Sequence, residues 1–117
     1  MTTTGRPLSQ LFEKQAEFQK KVTGIDLPVD SVEWSSYHAL ALVEEVGEVL
    51  KADKRWKTHR NTHYDPENKL EELADTFITV INIAMYSGFG PEALYEAVVA
   101  KISKNTKKLE GETPCPE

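Results

Sequence analysis

The stretch from Pro66 to Tyr86 reads PENKLEELADTFITVINIAMY. Asp65 precedes Pro66, and proline suits the first helical turn because its missing N–H would be unpaired there anyway. The apolar residues Leu70, Leu73, Phe77, Val80, Ile81, Ile83, Ala84 and Met85 cover most of a helical wheel. One polar stripe remains: Glu72, Asp75, Thr79, Asn82 and Tyr86, with no lysine or arginine in it. The pattern predicts a helix from Pro66 to about Tyr86, buried nearly all round.

A helix that apolar needs neighbours, and the sequence supplies three. Leu8, Leu11, Phe12 and Val22 anchor a segment over about 8–22, stopped by Thr23-Gly24. Asp30 and Glu33 have the spacing of a capping box for a second helix over about 31–55, with a possible break at Ser35-Ser36. Gly88-Phe89-Gly90 makes a tight turn, and Pro91 opens a fourth helix to about Leu109. Ile25 to Pro28 is a connector, and Lys57 to Tyr64 is a polar loop. Residues 111–117 read as a flexible tail. No strand pattern or internal repeat competes. The expectation is an all-α, antiparallel four-helix-type bundle in one domain over residues 1–117, with its core over about 8–110.

Composition narrows the function. The chain has 117 residues, of which 39% are hydrophobic. That core is thin for its size, so a homo-oligomer is expected: a dimer at least, or a tetramer as a dimer of dimers. The net charge of -5 argues against general nucleic-acid binding, which rests on neutralising phosphates. The single cysteine, Cys115, allows neither an internal disulfide nor a cysteine metal cluster. No apolar run is long enough to span a membrane, and the N-terminus lacks a signal-peptide core. The expected location is cytoplasmic.

Chemistry concentrates in two carboxylate pairs, Glu45 with Glu48 and Glu72 with Asp75. Residues three apart share a helix face, so each pair presents two carboxylates together. On the second helix Trp34, His38, Ala41, Glu45 and Ala52 share one arc, with Glu48 at its edge. Solvated helix faces usually carry Glu-to-Lys pairs at i,i+4. Here Glu45 has Ala41 and Val49 at those positions, Glu72 has Asn68 and Thr76, and Asp75 has Glu71 and Thr79. Only Glu48 has a near cation, Lys51. On spacing alone two readings stand: a divalent-cation site or an ordinary acidic face. If a metal binds, all-oxygen ligation selects Mg²⁺, with Mn²⁺ as a substitute. Neither pair has the Glu-x-x-His of di-iron bundles. His59 and His63 lack further ligands and read as exposed loop residues.

The fourth helix carries Lys101, Lys104 and Lys108 on one arc, with Asn105 beside them. They are either a phosphate clamp or lysines that complement the helix dipole. Antiparallel packing of helices two and three places Trp34 and His38 opposite Asn82 and Tyr86. That group is either a nucleobase pocket or a set of core and interface aromatics. Trp56, at the end of helix two, is a further stacking residue.

Glu44-Glu45-Val46-Gly47-Glu48 followed by Glu72-Leu73-Ala74-Asp75 resembles the EExxE…ExxD signature of MazG-like all-α NTP pyrophosphatases. Lys101 to Lys108 resembles that family's KxxKNxxR element, with Lys108 where arginine is common. The resemblance covers about residues 8–110. It implies Mg²⁺-dependent hydrolysis of a (d)NTP to the monophosphate and pyrophosphate, as nucleotide-pool house-cleaning. It implies Glu45, Glu48, Glu72 and Asp75 as metal ligands, Glu44 as the base, and Lys101, Lys104, Asn105 and Lys108 as phosphate contacts. Lysine at 108 gives a point charge in place of a planar fork. His38, Asn82, Tyr86 and Trp56 are the base-binding candidates. Two alternatives stay open: a phosphoribosyl-nucleotide pyrophosphohydrolase of the same architecture, and a non-catalytic nucleotide-binding or oligomerisation module.

Overall fold

The computed structural model describes residues 7–59 and 63–111. The described residues form four helices, with no strand among them: α1 (Pro7–Thr23), α2 (Val32–Ala52), α3 (Pro66–Met85) and α4 (Pro91–Gly111). The expected all-α class is the observed one. The tail expected to be flexible, with Cys115, lies outside the described residues beyond Gly111.

Local chemistry sets the boundaries. Gly24 ends α1 with φ 77°, and its N–H donates to Lys20 O at 2.7 Å. A left-handed cap of this kind favours glycine, which has no Cβ to clash. The cap of α2 differs from the expected one. Ser31, not Asp30, is the N-cap, and its Oγ accepts from Trp34 N at 3.1 Å. Asp30 is instead held in a backbone bridge to Ser87. The helix is not broken at Ser35-Ser36: Ser35 N donates to Ser31 O at 2.9 Å. It ends three residues early, because Asp53 turns extended and its Oδ1 accepts from Arg55 N at 3.2 Å. Helix α3 opens at Pro66 as expected, and Asp65 caps it, accepting from the N–H groups of Glu67 and Asn68 at 3.0 and 3.3 Å.

Helices α2 and α3 form the most extensive pairing. They are antiparallel and pinned at both ends. Val29 N donates to Met85 O at 2.9 Å, and Ser31 N donates to Tyr86 O at 2.7 Å. At the other end Asp53 bridges Tyr64. Helix α1 lies against α3 and α4. Its Phe12 joins Ile81, Ala84 and Met85 in the core, with Leu8, Ala16, Leu27 and Leu94 packed around them. Burying a side chain such as Phe12, Ile81 or Met85 contributes about 1.5–3 kcal/mol.

One expectation fails within a single chain. Helix α3 is buried only in its C-terminal half, at Thr79, Ile81, Asn82, Ala84 and Met85. Leu70 and Leu73, nearer its start, are 68% and 45% exposed. The apolar ring seen in the sequence is there, but α1 covers only one end of it. Helix α4 buries no residue at all. No helix among the described residues is long and apolar enough to cross a membrane.

Candidate metal and nucleotide site

The antiparallel register of α2 and α3 brings three of the four predicted metal ligands together. Carboxylate oxygens of Glu45, Glu72 and Asp75 lie within 4.8 Å of one another. Glu45 comes from α2, and the Glu72–Asp75 pair comes from one face of α3. Glu45 and Glu72 are half-buried, and Asp75 is exposed. Glu48, one turn along α2, is not among the three converging groups.

Electrostatics marks the same point. The Glu45 carboxyl is pushed above its ordinary value, first by burial and then by the charges of Asp75, Glu72, Glu44 and Glu48. Among the described residues no lysine or arginine offsets them. The ion pairs among the described residues are Lys20–Asp26, Arg55–Asp53 and Lys69–Asp53, and none reaches this cluster. Converging carboxylates without a protein cation fit a hard divalent ion, for which oxygen donors from two helices are a suitable set. Glu44 is exposed, on the neighbouring side of α2 from Glu45.

The other end of the α2–α3 seam is aromatic. Tyr86 stacks on His38 at 5.3 Å between ring centroids and on Trp34 at 5.6 Å. Tyr86 is fully buried, and its hydroxyl donates to Gln19 Oε1 at 2.7 Å. Asn82 is buried too, and its Oδ1 accepts from Gln15 Nε2 at 3.1 Å. Tyr86 therefore forms a floor beneath Trp34 and His38 and presents no surface of its own. Above it, a groove of about 620 Å³ is lined by Phe18, Gln19, Val22, Trp34, Tyr37 and His38, among others. His38 Nε2 is buried without a hydrogen-bond partner, and burial holds the imidazole pKa below its ordinary value. Burial therefore favours the neutral ring. His38 and Glu45 are seven residues apart on α2, or about 10 Å along the axis.

Trp56 does not join this group. It follows the opposite end of α2, is 59% exposed, and has Lys57 Nζ 5.2 Å from its ring centre. The basic stripe stands apart as well. Lys101, Lys104, Asn105 and Lys108 are all exposed on α4, which packs against α1.

Two residues of the aromatic end escaped the sequence reading: Gln15 and Gln19. Their signal was present. They continue the arc of Phe12 at spacings of three and four, so two amides sit on the face that α1 turns inward.

The profile of a family described as dUTPase matches residues 7–110. The match covers most of the chain, and the chain belongs to that family. This corrects the resemblance to MazG-like pyrophosphatases drawn from the carboxylate signature: the family is a different one, related in function. No curated protein and no solved structure matches the chain. Membership makes the chain a nucleoside triphosphate hydrolase, acting on a phosphoric anhydride bond.

Proposed function

We propose that this member of the dUTPase family hydrolyses dUTP to dUMP and pyrophosphate, keeping dUTP out of the nucleotide pool. The carrying observation is the convergence of Glu45, Glu72 and Asp75 across the α2–α3 seam, with no ion pair to them among the described residues. These three hold Mg²⁺ or Mn²⁺, and Glu48 closes the set from the next turn of α2. The metal, when bound, neutralises phosphate oxygens and lowers the pKa of a coordinated water. Phosphoryl transfer asks the protein for positioning and charge rather than covalent chemistry. Glu44 is the base that takes the proton of the attacking water. The base of the nucleotide lies at the aromatic end, against Trp34 and His38, with Asn82 and Tyr86 fixing that wall from behind. Trp56 borders the phosphate end.

Association completes the site in this reading. Val43, Val46, Leu73 and Phe77 are exposed near the carboxylates, and Val98 and Ile102 are exposed on α4. Exposed apolar surface of that extent supports a homo-oligomer, a dimer or a dimer of dimers. Such contact brings the Lys101, Lys104, Asn105 and Lys108 stripe of one copy to the phosphates held by another.

The test is pyrophosphate release with Mg²⁺ from dUTP, dCTP, dTTP and UTP. Turnover of dUTP above the others, lost in Asp75→Asn, is the expected result. No turnover of dUTP with Mg²⁺ or Mn²⁺, or turnover that Asp75→Asn leaves intact, overturns the reading.

A further inference from the structure

Beside the carboxylates lies a second charged cluster that the reading above does not use. Asp53, whose side chain is 10% exposed, accepts from two cations at once. Arg55 Nε and Nη2 donate to its two oxygens at 2.8 Å each, and Lys69 Nζ donates to Oδ2 at 2.9 Å. The Arg55 guanidinium lies 3.5 Å over the Tyr64 ring. Asp53 and Tyr64 are themselves joined by a backbone bridge.

The arrangement has three features of an anion site. It is net positive, since one carboxylate faces two cations. Beyond the bonds to Asp53, donors remain among the described residues: Arg55 has further guanidinium N–H groups, facing Tyr64 in part, and Lys69 has two further N–H groups. It is also held rigidly, because the bidentate pair and the Tyr64 face fix the guanidinium plane. Its place matters as much. Lys69 is three residues before Glu72, so it lies one turn away on the same side of α3. Yet Lys69 turns to Asp53, and among the described residues the carboxylate trio has no ion-pair partner.

The geometry points to Arg55 and Lys69 as the groups that grip the phosphate chain of the substrate at the loop end of the site, with Asp53 and Tyr64 as positioning residues. This rests on the proposal that the carboxylates hold a metal–nucleotide complex. An anionic chain bound at the trio needs positive charge where it emerges, and α4 does not supply it within one chain. Arg55 and Lys69 do. A carboxylate anchor keeps the two like charges side by side until a phosphate takes their free donors.

The experiment compares Arg55→Gln and Lys69→Gln with the parent protein, using dUTP kinetics and calorimetric binding of inorganic pyrophosphate with Mg²⁺. Each substitution is expected to raise KM and the pyrophosphate Kd about 10-fold, with kcat within about 2-fold, the scale of one charge-assisted hydrogen bond. Lys69→Arg keeps a charged donor and is expected to retain most of the affinity, which a role confined to folding would not require. Lys20→Gln, at the exposed Lys20–Asp26 pair, is the control and leaves both readouts unchanged. Unchanged KM and pyrophosphate affinity in either Gln variant overturn the inference, as does a parent protein that binds no pyrophosphate. If the parent binds pyrophosphate through these residues but hydrolyses no dUTP, the nucleotide reading fails and the anion site stands.

Discussion

The two ends of the α2–α3 seam are built from opposite physics. At the aromatic end Tyr86 is wholly buried, stacked on two rings and hydrogen-bonded to Gln19. At the carboxylate end Glu45, Glu72 and Asp75 crowd together half-open to solvent, and burial with the neighbouring charges makes the Glu45 carboxyl harder to ionise. One end holds the fold together. The other works against it unless a cation arrives. Packing dominates one end of a single pair of helices and charge the other, and substitutions at each end therefore have different signatures.

The largest effect is expected at the aromatic end. Tyr86→Ala removes a fully buried ring and destabilises by about 3–5 kcal/mol. Tyr86→Phe keeps the ring and leaves Gln19 Oε1 without its donor, at a cost of about 1–3 kcal/mol. Urea unfolding measures both. Equal losses in the two variants would place the stabilisation in the hydroxyl rather than the stack.

Glu45→Gln inverts that pattern. It removes one oxygen anion from the trio, so dUTP turnover is expected to fall by about 100-fold or more, at least the scale of disturbing a metal's supporting shell. Without metal its thermal midpoint stays level or rises, because burial and four neighbouring carboxylates disfavour the ionised form. A lower metal-free midpoint together with unchanged turnover would make the trio a structural feature and erase the contrast between the ends.

The contrast was partly legible before any coordinates. The stripe Glu72, Asp75, Thr79, Asn82, Tyr86 already lay along one face of α3, and the expected antiparallel packing would bring Glu45 to its start. The family was not legible, because short acidic signatures on helices are shared by families of related chemistry. Nor was the burial of Asn82 and Tyr86, which depends on Gln15 and Gln19 of a helix 67 residues away in sequence. Only a tertiary contact says which polar residues of a stripe face solvent. The exposure of Leu70 and Leu73 has the same origin. Periodicity shows which faces are apolar, not how much of them a single copy covers. The Asp53 cluster was missed because its members come from a helix end, a loop and a second helix, with no common period.

A pH titration sharpens the comparison further. Burial lowers the His38 pKa below its ordinary 6.5. Between the folded and unfolded values the unfolded chain binds more protons, so stability falls as pH drops through that window. Above about pH 6.5 this group contributes no slope. His38→Phe keeps a ring on Tyr86 and is expected to flatten the dependence in urea midpoints taken from about pH 8 to 5. A slope that survives the substitution would assign it to other groups and leave His38 without a pH role.

The smallest effect tests how the seam begins. Sequence spacing pointed to Asp30 as the cap of α2, whereas the hydrogen bond comes from Ser31. Ser31→Ala leaves the N–H of Trp34 without that partner and is expected to cost about 1 kcal/mol. Ser31→Asp should restore most of it, since aspartate caps as well as serine and adds a charge favoured at a helix N-terminus. Asp30→Ala should cost less than Ser31→Ala, because its bridge to Ser87 is made by backbone and survives the loss of the side chain. Neither change reaches the carboxylates more than three turns away, so Mg²⁺-dependent turnover should be untouched. If Asp30→Ala proves the costlier of the two, the cap belongs to Asp30 after all, and the aromatic end is held by a different first turn.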